Sequence, residues 1–106
     1  MYGLSDNELE KIRYVFAQNG HIERAILYGS RAKGNYKQFS DIDITLVGME
    51  LTHKDLVNIL QTIDNLLLPY HFDISLFNNL NNQDLINHIN RIGKEIYRKE
   101  DCNAAL

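Results

Sequence analysis

Cysteine, proline and tryptophan are nearly missing from this chain. Its 106 residues include one cysteine, Cys102, one proline, Pro69, and no tryptophan. A lone cysteine forms no internal disulfide and no thiolate zinc cluster, which fits a reducing, cytoplasmic setting. The four histidines, His21, His53, His71 and His88, show no paired spacing, so a histidine zinc site has little support. No apolar run is long enough to span a bilayer, and the opening "MYGLSDNELEK" lacks a signal-peptide profile. Positive charge is not in excess either. The formal net charge is −3, which argues against general nucleic-acid binding driven by backbone phosphates.

What is present is an ordinary globular balance, 44% hydrophobic and 24% charged, and enough chain for one modest core. Residues 1–100 read as one domain and residues 101–106, "DCNAAL", as a frayed tail. Ser5 and Glu8 form a capping box, and Leu9, Ile12 and Phe16 recur at helical spacing, predicting a helix over 6–19 that stops at Gly20. "HIERAILY" predicts a strand over 22–28. "SRAKGNYKQFS" reads as a short helical turn and a loop, and "DIDITLV" as a second strand. Thr52 caps a helix expected over 53–67, with Leu56, Leu60, Ile63 and Leu67 as its apolar stripe and Pro69 as its stop. "HFDISLF" alternates as a third strand, Leu85, Ile89 and Ile92 mark a final helix, and "KEIYR" is a short fourth strand. The order predicts an α/β (α+β) single domain with a small mixed sheet of about four strands and three main helices.

Acidic residues are poor strand formers and costly to bury unpaired, so "DIDITLV" asks for an explanation. Side chains alternate along a strand, which puts Asp41, Asp43 and Thr45 on one face and Ile42, Ile44 and Leu46 on the other. In the third strand His71, Asp73 and Ser75 face away from Phe72, Ile74 and Leu76. If the two strands are neighbours, Asp41, Asp43 and Asp73 converge on one polar face. Two carboxylates two residues apart, roughly 6.5 Å at Cα, can grip one cation or two cations about 3.5–4 Å apart. Oxygen-only ligation favours Mg²⁺ or Mn²⁺. An isolated Asp-x-Asp reads first as the exposed face of an edge strand; Asp73 at matching parity brings the two readings level, and the Gly-Ser turn then decides for the metal.

Gly29 follows the first strand directly and lets a backbone approach a bulky oxyanion; Ser30 adds a hydroxyl. Arg31, Lys33 and Lys37 add positive charge nearby. Carboxylates that hold metals, beside a turn suited to phosphate, suggest a nucleoside triphosphate. Gly29 to Gly34 has the glycine spacing of a P-loop, but Asn35 and Tyr36 stand where its lysine and hydroxyl belong, which rejects that motif. Tyr36 and Phe39 lie in a polar loop, where contact with a partner or nucleotide is as natural as burial. Tyr28 and Tyr97 read as core or half-buried strand residues, and Cys102 has no evident role.

"GSRAKGNYKQFSDID" resembles the signature of the polymerase-β-type nucleotidyltransferase superfamily: Gly-Ser, ten residues, then Asp-x-Asp. The chain's length and element order resemble the minimal nucleotidyltransferase branch in particular. The resemblance implies that Asp41 and Asp43, completed by Asp73, hold two Mg²⁺ ions and are the catalytic residues. It implies nucleotide contacts from Gly29, Ser30, Arg31 and Ser40, with ATP as co-substrate. Minimal members are commonly antitoxins beside a helical HEPN-type toxin, some transferring AMP to a tyrosine of that partner. The expected function is therefore nucleotidyl transfer to a HEPN-type partner. The alternatives are a catalytically silent antitoxin that neutralises by binding, and a transferase acting on RNA 3′ ends or a small molecule. Lys33 stands where many relatives have arginine, which keeps the charge.

Overall fold

The computed structural model describes residues 1–37 and 40–99. The expectations for Phe39, for Cys102 and for the tail lie outside the described residues.

The expected order of elements is found. Helix α1 (Asp6–Ala17) leads to β1 (Arg24–Tyr28), the four-residue helix α2 (Ser30–Lys33) and β2 (Ile42–Val47). Helix α3 (His53–Asp64), β3 (Phe72–Leu76), a 3₁₀ turn over Phe77–Asn79, α4 (Gln83–Ile92) and β4 (Lys94–Arg98) complete it. Local chemistry explains the helix starts. The Ser5 hydroxyl accepts from the Glu8 N–H while the Glu8 carboxylate accepts from the Ser5 N–H. Thr52 and Asp55 do the same at α3. Both capping boxes satisfy donors that a helix start leaves free.

The sheet order is β3-β2-β1-β4; β1 is antiparallel to β2 and β4, and β2 and β3 run parallel. Helices α1 and α3 pack on one face. The core there joins Leu9, Ile12, Val15 and Phe16 of α1 to Ile42, Ile44 and Leu46 of β2, Ile74 and Leu76 of β3 and Ile59 and Ile63 of α3. The alternation expected of both "DIDITLV" and "HFDISLF" is therefore correct.

Three expectations need correction. Helix α1 ends at Ala17, with Gln18 as its cap, so Gly20 lies beyond it. Helix α3 ends at Asp64, short of Pro69, and Leu67 beyond it has φ 56° and is 88% exposed. Its buried residues are Ile59 and Ile63, not Leu60, which points outward. A stripe at 56, 59 and 63 fits one helix face as well as the expected one, and contact with the sheet selects it. The faces of the sheet are shared unequally: α4 lies apart from α1 and α3. It crosses the opposite face of β1, where Gly93 lies against Ile26 and the His88 ring meets Tyr28 edge-on at 6.2 Å. Among the described residues no helix is long and apolar enough to cross a membrane.

Candidate active site

The β2–β3 register pairs Asp43 with Asp73, and the β1–β2 register pairs Tyr28 with Asp43. Three adjacent strands therefore place Tyr28, Asp43 and Asp73 in one row, about 4.8 Å from strand to strand. Asp41 precedes β2 and is exposed, with its carboxylate 3.6 Å from His71 Nδ1. The Ile42 N–H donates to the His71 carbonyl, which ties the starts of the two strands together. All three aspartates thus lie at one end of the sheet, on the face away from the α1–α3 core.

Their electrostatics follow from that crowding. Burial raises the Asp43 pKa above the usual carboxylate range, and the charges of Asp73 and Asp41 push it the same way; His71 and His88 oppose them. Among the described residues nothing hydrogen-bonds to the Asp43 carboxylate. Beneath the row is a run of hydroxyls. Ser75 Oγ donates to Thr45 Oγ1 at 3.1 Å, and the Ser75 hydroxyl is near enough to the Tyr28 phenol to act on it. Burial raises the Tyr28 phenol pKa, and the charges of Asp73 and Asp43 add to it.

The expectation that the carboxylates converge needs one correction. They share a face, yet among the described residues no three His, Cys, Asp or Glu side chains form a ready metal-binding group. Like charges without a cation between them gain by spreading apart. The donor set still fits a hard divalent cation: it is all carboxylate, it comes from neighbouring strands, and its mutual repulsion is what a cation relieves.

Gly29 joins β1 to α2 with φ 76° and ψ −155°, a conformation that only glycine adopts cheaply. A Cβ built there would stand 2.5 Å from Asp43 Oδ2. The turn requires glycine, and a methyl group there would also displace the Asp43 carboxylate. The turn brings Ser30, half-buried, to the Asp43 end of the row; its carbonyl accepts from the Gly34 and Asn35 N–H groups, and among the described residues its hydroxyl makes no hydrogen bond.

Arg31 does something other than the expected nucleotide contact. It is buried, 2% exposed. Its Nε and Nη2 donate to the Ser40 carbonyl at 3.2 and 2.8 Å, and its Nη1 donates to the Tyr2 carbonyl at 2.8 Å. Its guanidinium lies 5.3 Å from the Tyr36 ring centroid and 5.0 Å from that of Tyr70. Bonds and cation–π contacts of this kind hold a planar cation firmly. Arg31 therefore clamps the N-terminal segment and the residue before Asp41 onto α2. Tyr36, whose role the sequence left open, is half of that clamp. The Ser40 hydroxyl is buried without a hydrogen-bond partner among the described residues.

Sequence reasoning missed His88. Its Nε2 accepts the Gly29 N–H at 3.3 Å. Nothing in the stripe Leu85, Ile89, Ile92 signals this, because the contact exists only once α4 crosses the carboxylate face.

The Gly-Ser turn against a row of strand-borne aspartates has a counterpart among known proteins. The family model "Polymerase beta, Nucleotidyltransferase" matches residues 10–102, and the chain belongs to that family. Its solved neighbours include chains of toxin–antitoxin complexes. A chain of a toxin–antitoxin complex with AMP-PNP superposes with TM-score 0.70 at 19% identity, covering 92% of this chain and 78% of that one. A chain of the MntA–HepT toxin–antitoxin complex gives 0.66 at 16% identity, covering 95% and 79%. A chain of the complex of a tri-AMPylated Shewanella oneidensis HEPN toxin with its MNT antitoxin gives 0.61 at 18% identity, covering 99% and 79%. At these identities the likeness is one of fold. No curated protein matches this chain.

Proposed function

We propose that this chain transfers a nucleoside monophosphate, AMP from ATP, to a tyrosine hydroxyl of a HEPN-type helical toxin and so acts as its cytoplasmic antitoxin. The observation that carries the reading is the pairing of Asp43 with Asp73 in register, with Gly29 against the Asp43 carboxylate. Asp41, Asp43 and Asp73 are the residues that would hold two Mg²⁺ (or Mn²⁺) ions. When bound, such ions stabilise charge on the triphosphate and on the attacking oxygen. Gly29 and Ser30 orient the β- and γ-phosphates, and Ser40 lies beside the loop that carries Asp41. Asp73 favours loss of the acceptor's proton. The acceptor oxygen bonds to the α-phosphorus and the bond to pyrophosphate breaks. Positioning supplies much of the rate. The neighbours support the choice of acceptor and of nucleotide: one contains an AMPylated HEPN toxin and another AMP-PNP.

The alternative reading is a silent antitoxin that neutralises by stoichiometric binding. Incubation with the HEPN-type protein of the adjacent reading frame, Mg²⁺ and ATP labelled at the α- or the γ-phosphate decides between them. Nucleotidyl transfer leaves only the α-label on the partner. A tight complex with no label from any of the four nucleoside triphosphates supports the silent reading.

A further inference from the structure

We propose that His88 is a positioning residue of the nucleotide site, acting through Gly29. The proposal rests on the functional reading above and adds a residue to it. Two contacts hold the half-buried His88 ring. Its Nε2 accepts the Gly29 N–H at 3.3 Å, and its centroid lies 6.2 Å from that of the Tyr28 ring in an edge-to-face pair. Acceptance at Nε2 leaves the ring proton on Nδ1.

The Gly29 peptide needs such support. Its conformation is one that glycine tolerates without preferring, and its N–H is the hinge between a strand and a helix of only four residues. The helix is too short to fix the turn by its own hydrogen bonds. A side chain from α4, far along the chain, supplies the missing acceptor. It holds the peptide plane that sets where Ser30 stands relative to Asp43. Asn82 caps α4 by accepting the Leu85 N–H, so the helix that delivers His88 starts at a defined residue.

A turn held in its binding conformation before the ligand arrives lowers the ordering cost of binding. It acts alike on bound substrate and transition state, so its loss appears in KM and not in kcat. The test compares His88→Leu, which keeps bulk and loses the acceptor, with His88→Gln, whose carbonyl reaches the Nε2 position. ATP affinity is read by calorimetry, transfer by KM and kcat, and the turn by the Gly29 amide signal and its hydrogen exchange. His88→Leu is expected to weaken ATP about three- to tenfold and to raise KM by the same factor, with kcat within about twofold of wild type. Gly29 amide exchange speeds up, and His88→Gln restores both properties. Unchanged ATP affinity in His88→Leu overturns the proposal. So does tighter binding, which would make the ring a competitor of phosphate, and so does a His88→Gln variant as impaired as His88→Leu. Wild-type protein with no affinity for any nucleoside triphosphate overturns instead the functional reading beneath it.

Discussion

Two aspartates at different corners of the molecule are treated in opposite ways. Asp55, in the first turn of α3, has many partners: the Thr52 N–H and hydroxyl, the Asn19 amide and His21 Nδ1 at 3.0 Å. These partners, His21 first, pull its pKa far below the usual carboxylate range. The Asp43 carboxylate has no hydrogen-bond partner among the described residues, faces two other carboxylates and is pushed the other way, by burial first. Asp55 fastens the α1–β1 loop to the start of α3 and serves stability. Asp43 is kept where its charge is unwelcome, which costs stability and is consistent with the cation-holding role proposed for it.

The largest break in that contrast comes from Asp43→Asn. Nucleotidyl transfer should fall about a hundred- to a thousandfold or more, while the Tm stays level or rises because one repelling charge is gone. Full activity in a clean preparation would remove Asp43 from the mechanism. Gly29→Ala tests the same corner through the backbone. It should cost about 1–3 kcal/mol in urea unfolding, because alanine is strained at this φ and ψ and its methyl meets Asp43 Oδ2. A double variant Gly29→Ala with Asp43→Ala should recover part of that loss.

At the other corner Asp55→Ala should lower the Tm, the reverse of the effect of Asp43→Asn, since it removes a capping box and the ties to Asn19 and His21. The smallest effect is one of pH. The His21 pKa is raised, by its bond to Asp55 first, so its contribution is present below its unfolded pKa of about 6.5 and is lost as pH rises through the folded value. Asp55 has a lowered pKa, so its contribution is present above about pH 3.9 and is lost as pH falls through the folded value. The stability lost in His21→Ala should therefore be greatest between about pH 4 and 6.5 and shrink above that range. Because His21 is half exposed, salt should reduce it. A difference that does not vary with pH would separate His21 from the Asp55 network.

Much of the fold was legible because its causes are local. Ser5 with Glu8 and Thr52 with Asp55 announce two helix starts within four residues each, and both capping boxes form. The alternation in "DIDITLV" and "HFDISLF" assigned the aspartates to the face away from the core, and the register agrees. Where two helix faces are equally apolar the pattern is silent, which is why Leu60 was expected inside α3 and Ile59 is the residue buried. Arg31 was legible as a cation beside the Gly-Ser turn but not as a buried one, since Tyr2, Ser40 and Tyr70 meet only in the folded chain.

The amino-acid sequence by itself determined the element order, the strand faces and the shared parity of the aspartates after a glycine turn, because periodicity, capping and turn chemistry act over a few residues. Only the tertiary structure decided that Asp43 lies beside Asp73, that Arg31 closes a clamp and that His88 reaches Gly29 from across the sheet. Those contacts join residues up to 59 positions apart. No local preference encodes them; they follow from which apolar face each helix buries against the sheet.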